Sequence, residues 1–103
     1  MSKEYADQMH AVGTITVPNP AAAQSVTLGF NPRYVKAINV NNLKMYEWFY
    51  GMSAGTSLDT ANHADTQISV NVADGITVSG GVVTFGADIC DTAADVVRYL
   101  CIR

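Results

Sequence analysis

The chain has 103 residues, of which 49% are hydrophobic and only 15% charged, with a formal net charge of −3. One domain with one modest core is what that length supports. The acidic balance and six scattered Lys and Arg residues argue against binding a phosphate backbone, and no apolar run approaches the ~18 residues of a membrane-spanning helix.

A typical soluble domain is about 25% charged. With charges this scarce, much of the exterior must be neutral or apolar, and such surfaces are often covered by a partner. The alternative is a monomer coated with Asn, Thr, Ser and Gly. The opening residues, Met1 to Gln8, lack the apolar core of a secretory signal, so folding in a cytoplasm is expected. In that compartment Cys90 and Cys101 read as free thiols. Their spacing fits no redox or zinc motif, although a bridge would be open to them if they faced each other on neighbouring strands.

Residues 1–11 are polar and without period, an N-terminal arm ahead of a domain spanning 12–103. Val12 to Val17 alternates apolar with small or hydroxylated residues, the period-two mark of a half-buried strand. Pro18-Asn19-Pro20 stops it, because proline lacks the ladder donor. After Ala21-Ala22-Ala23, alternation resumes with Val26, Leu28 and Phe30 on one side. Asn31-Pro32 is a turn signal.

Tyr34 to Val40 reads as a strand, with Tyr34, Lys36, Ile38 and Val40 on one face and Val35, Ala37 and Asn39 on the other. Asn41-Asn42 is expected to form a two-residue hairpin turn. Leu43 to Tyr50 is dense in aromatic residues, which favours a strand. Tyr46, Trp48 and Tyr50 share one face and Leu43, Met45, Glu47 and Phe49 the other. Both faces are mainly apolar, so this strand should be covered on both sides.

Residues 51–66 are rich in Gly, Ser, Ala, Thr and Asp. They read as a long loop with a helical turn near Ser57-Leu58-Asp59, and long loops tend to meet partners. Ile68 to Val72 is a strand, Ala73-Asp74-Gly75 a turn, and Ile76 to Ser79 a second strand. Gly80-Gly81 then supplies the positive φ of a tight hairpin into Val82 to Phe85. A loop from Gly86 to Ala94 precedes the last strand, Asp95 to Arg103, whose two faces are both apolar, as in the middle of a sheet. The sum is an all-β single domain: an antiparallel, jelly-roll-like β-sandwich or barrel of about eight short strands.

Catalytic signals are weak. His63 has Ser53, Ser57, Asp59 and Asp65 near it, but no spacing matches a triad or nucleophile elbow. Asp88, Asp91 and Asp95 surround Cys90. Carboxylates suit Ca²⁺, but the EF-hand order and its Gly are absent, and a solvated loop accounts for them. Neither a phosphate-binding loop nor a dinucleotide fingerprint is present. No enzymatic activity, no cofactor and no metal are therefore expected. The residues expected at a protein interface are Tyr46, Trp48, Tyr50, Met52, Leu58 and His63, since Tyr and Trp dominate interface energetics. Core packing and a sugar-stacking platform are the competing roles for the aromatic strand.

Gly29-Phe30-Asn31-Pro32-Arg33-Tyr34-Val35-Lys36, then Tyr46-Glu47-Trp48-Phe49-Tyr50-Gly51-Met52, then Gly75-Ile76-Thr77-Val78, resembles a group of small virion structural proteins of tailed bacteriophages. The resemblance spans most of the chain from about Val26. The hairpin Val82 to Gly86 and the ending with Cys101 depart from the group's pattern. The resemblance implies a capsid decoration, or cement, protein located on the virion. It implies a homotrimer on the outside of the head, with the major capsid protein as partner and neither nucleic acid nor membrane involved. A tail or fibre component that binds host carbohydrate is the second reading.

Overall fold

The computed structural model describes residues 10–60 and 68–103. The first nine residues of the expected arm, and His63 in the long loop, lie outside them. Among the described residues there are eight strands: β1 (His10–Thr16), β2 (Gln24–Thr27), β3 (Tyr34–Asn39), β4 (Lys44–Phe49), β5 (Thr56–Thr60), β6 (Ile68–Ser79), β7 (Val82–Phe85) and β8 (Val96–Ile102). All pair antiparallel in one sheet of order β1-β8-β3-β4-β5-β6-β7-β2. The fold is all-β, as expected, and residues 10 and 11 already belong to β1.

A single sheet buries both of its ends only by rolling up, and the core shows that it does. Phe85 on β7 packs against Tyr99 on β8 with ring centroids 5.5 Å apart, although four strands separate β7 from β8 in the sheet. The result is a nearly closed barrel with β1 and β2 as its two edges. Its interior holds Val35, Ala37, Tyr46, Trp48, Ile76, Val83, Phe85, Val97 and Cys101, joined by Val17, Ile89 and Cys90 from the loops.

Cross-strand register explains which faces turn inward. One interior row runs Gly13–Tyr99–Ala37–Tyr46, small and large in alternation. That alternation suits the narrow lumen of a small barrel. A Cβ on Gly13 would lie 2.5 Å from Cζ of Tyr99, so the Tyr99 ring occupies the space that only glycine leaves. The next row, Cys101–Val35–Trp48, again sets a small residue beside a large one.

Three local expectations are corrected. The β3–β4 connection is a four-residue loop, not a two-residue Asn41-Asn42 turn. The Asn39 side chain accepts the amide protons of Asn41 and Asn42 at 3.0 and 3.3 Å, which curls the chain early and leaves the positive φ of 58° to Leu43. The 51–66 stretch is not all loop, and Ser57-Leu58-Asp59 is not helical. Thr56–Thr60 is β5, paired on both sides, with Ser57 buried. Ala73-Asp74-Gly75 is not a hairpin turn but a corner within β6. There the pairing jumps from Ser57↔Asn71 to Thr56↔Ile76, so one strand bends to pair β5 with its first part and β7 with its last. The Gly80-Gly81 hairpin forms as expected, with φ of 59° and 80°.

Candidate protein interface

Strand pleating sends alternate residues to opposite faces, so every interior row has an exterior neighbour. One exterior row is Ile102–Tyr34–Phe49. A second is Val12–Leu100–Lys36–Glu47–Leu58–Val70. The third is Thr14–Arg98–Ile38–Met45–Thr60. Val12 is 70% exposed, Val70 60% and Phe49 46%. The sheet therefore presents a broad outer face on which apolar side chains outnumber charged ones.

That face is ordered by its own contacts. The Tyr34 and Phe49 rings tilt against each other with centroids 5.1 Å apart. The Tyr34 hydroxyl donates to the Glu47 carboxylate. Partial burial, and then this hydrogen bond and the Glu47 charge, push the Tyr34 phenol up to about 12, so it stays a donor across the physiological range. Between β3 and β8 the face holds a shallow dent of about 220 Å³ bordered by Lys36, Ile38, Arg98 and Leu100.

The expected interface residues do not form one patch. Tyr46 and Trp48 lie inside the barrel, at 0% and 5% exposure. The Tyr46 hydroxyl donates to the Asp88 carbonyl at 3.0 Å, and burial, followed by the nearby acidic charges, raises its pKa. Tyr50 is 74% exposed beyond the end of β4, beneath the Arg33 guanidinium at 5.5 Å. It stands between two clefts at one end of the barrel. One, of about 580 Å³, carries Arg33 and Arg103. The other, of about 340 Å³, is lined by Trp48 and Met52. Met52 is half-buried against the core, and its sulfur accepts the Phe49 amide proton at 3.2 Å. Of the five that are described, only Leu58 sits in the outer rows of the sheet. Sequence reasoning passed over Val12, Tyr34, Val70, Leu100 and Ile102. Leu100 and Ile102 lie on the second apolar face of β8, and Tyr34 on that of β3, while Val12 and Val70 stand on β1 and β6; nothing local says that these faces point outward.

Groups of chemical interest are tied into the fold. The Ser57 hydroxyl is hydrogen-bonded to Asp59 at 2.6 Å. Asp95 is buried and accepts from the Asn39 amide at 3.0 Å. Among the described residues, no group of three His, Cys, Asp or Glu side chains is placed to hold a metal ion. Cys90 and Cys101 are both free and buried.

Burial pushes the Cys101 thiol from 9.0 up to about 11, and burial raises Cys90 as well. Between those values the unfolded chain sheds thiol protons that the folded chain keeps. The thiols' contribution to stability is therefore complete below pH 9 and is lost as pH rises toward 11. The melting temperature followed by circular dichroism should fall across that window, less steeply in Cys101→Ala. An equal slope in that variant would show that Cys101 does not contribute.

A comparison with protein-family models, with curated proteins and with solved structures found no match to this chain.

Proposed function

We propose that this protein is a capsid decoration protein of a tailed bacteriophage, binding the outer head surface as an oligomer and stabilising the shell through protein–protein contacts. The observation that carries this reading is the outer face of the sheet. A small barrel that leaves Val12, Phe49 and Val70 exposed in neighbouring rows is suited to being covered by protein. The motifs from Gly29 to Lys36, Tyr46 to Met52 and Gly75 to Val78 supply the resemblance to virion proteins.

On this reading the protein performs no chemistry. It binds the assembled shell and not the dissociated subunits, so its binding free energy adds to shell stability by mass action. The alternative is a tail or fibre component that binds host carbohydrate, and it would have to stack sugar on Trp48, a ring only 5% exposed at the wall of the cleft that Tyr50 and Met52 also line.

Cryo-electron microscopy of the particle that contains this chain tests the proposal. Many copies on the head exterior are expected, together with disruption at lower temperature of heads prepared without it. A few copies confined to the tail, or unchanged head stability, would overturn it.

A further inference from the structure

The basic residues are scattered in sequence, and the fold gathers two arginines at one end of the barrel. Arg33 and Arg103 both border the cleft of about 580 Å³ there. Backbone pairing brings them together. The Arg33 amide donates to the Ile102 carbonyl at 2.7 Å, and the Tyr50 amide donates to the Arg33 carbonyl at 2.8 Å. Arg33 is thus fixed on both flanks, with its guanidinium over the Tyr50 ring. Stacking uses the face of a guanidinium and leaves the N–H groups on its edge for a ligand. Gly51 has a φ of 100°, which turns the chain back so that Met52 joins Trp48 in the second cleft, of about 340 Å³. Asn31, Pro32 and Tyr50 border both clefts, so the two adjoin.

The side chains along these clefts are rich in donors. Among the described residues no acidic side chain borders either cleft, in a chain of net charge −3. The Arg33 guanidinium has the Tyr50 ring beneath it and no carboxylate partner among the described residues. The Asn31 carboxamide oxygen accepts the Gly81 amide proton at 2.7 Å, which fixes that group and leaves its NH₂ to donate. The Trp48 indole N–H is buried without an acceptor among the described residues, and buried donors rarely stay unpaired. A surface of unpaired donors takes acceptors: a carboxylate in bidentate fit on the guanidinium, and carbonyls beside it. Met52 and Val78, next to Trp48, add an apolar seat. Carboxylate, backbone carbonyls and an apolar side chain occur together in an acidic peptide. We propose that this end of the barrel binds an extended acidic segment of another protein, with an Asp or Glu side chain on Arg33 and an apolar side chain in the Trp48–Met52 cleft.

In an extended segment, side chains two positions apart point the same way at a spacing of about 6.8 Å. The acid and its apolar anchor are therefore expected at i and i+2, one for each of the adjoining clefts. Arg33 and Tyr50 are held by strand-like backbone hydrogen bonds, so little ordering is needed when the segment arrives. An inorganic anion or an acidic sugar shares the charge but leaves the Met52–Val78 seat empty. The site lies at the end of the barrel and not on the outer sheet face, so this inference goes beyond the proposed function and does not depend on it.

Trp48 is the only tryptophan of the chain, so its indole N–H gives a single resonance in nitrogen–proton correlation NMR. The test titrates the full chain with the blocked peptide acetyl-Gly-Glu-Ser-Leu-Gly-amide to about 5 mM, enough to detect millimolar affinity. Saturable shifts of the Trp48 indole and of the Arg33 and Tyr50 amides are expected. Replacing Glu of the peptide by Gln, or Leu by Gly, should each weaken binding by about fivefold or more. These changes leave the protein untouched, so the loss cannot come from misfolding. Arg33→Gln should weaken the Glu peptide equally and leave the Gln peptide unaffected, as coupled partners do. Absence of shifts throughout, equal binding of the Glu and Gln peptides, or affinity indifferent to Leu would each overturn the proposal. Sodium phosphate or glucuronate binding as tightly as the peptide would mark an anion or acidic-sugar site and overturn it too. Loss of the virion reading, by contrast, would show in particle imaging and leave these results untouched.

Discussion

Gly86→Ala should lower stability by about 3 kcal/mol, the upper end for overpacking, and lower Tm by about 12–24 °C for a domain of this size. Gly86 lies where the end of β7 crosses the corner of β6. Its amide donates to the Gly75 carbonyl at 2.7 Å. A Cβ there would lie 2.5 Å from the Asp74 carbonyl carbon and 2.7 Å from the Gly75 oxygen. These obstructing atoms are backbone, so no side chain can swing aside. Relief would have to come from opening the corner, which also holds the Gly75 amide on the Gly55 carbonyl at 2.8 Å. A thermal melt within about 5 °C of the parent, on the order of 1 kcal/mol, would show that the corner is pliable and defeat the argument.

The second large effect is expected at Asn39, the fully buried polar residue at the inner end of β3. Its amide nitrogen donates to the Ile89 carbonyl at 3.1 Å and to the Asp95 carboxylate at 3.0 Å. Its oxygen accepts the amides of Asn41 and Asn42. One side chain therefore ties the β3–β4 loop to the segment between β7 and β8 that closes the barrel. Asn39→Leu removes all four bonds and leaves the buried Asp95 carboxylate without this donor. A buried group left unsatisfied costs about 1–3 kcal/mol, more when charged, so a loss of about 3–4 kcal/mol is expected in denaturant melts. Asn39→Asp sets a second carboxylate beside Asp95. Repulsion and burial should raise the pKa of that pair in the folded state, so this variant should gain stability as pH falls from 7 toward 5, relative to Asn39→Leu. A loss under 1 kcal/mol in the Leu variant, or the same pH response in both variants, would remove Asn39 from this role.

Both effects sit where the sequence is least informative. Gly86 reads as an ordinary loop glycine, and Asn39 as the polar end of a strand. Their importance comes from residues that are distant in the chain: Asp74 and Gly75 for one, Ile89 and Asp95 for the other. The same holds for the corner in β6. Ala73-Asp74-Gly75 has turn composition, but the Gly55 carbonyl accepts the Gly75 amide, and the Gly86 and Asp88 amides donate to the Gly75 and Asp74 carbonyls, so the strand bends without ending. Ser57 and Leu58 look like loop residues in isolation and become a strand because β4 and β6 offer ladders on either side.

Alternation in the chain itself determined the strand segments, the Gly80-Gly81 hairpin, the all-β class and the shortage of charge that makes an uncovered surface conspicuous. Periodicity separates two faces but does not say which is inside when both are apolar, as in β3, β4 and β8. That choice was made by the rolled sheet. Gly13, Tyr99, Ala37 and Tyr46 interlock by size only when four strands are aligned, and the lumen takes the set that packs. Tyr46 and Trp48 went inward with it, and Tyr34, Phe49 and Leu100 were left outside. The candidate interface is thus the complement of the core, and packing among residues far apart in sequence fixes it.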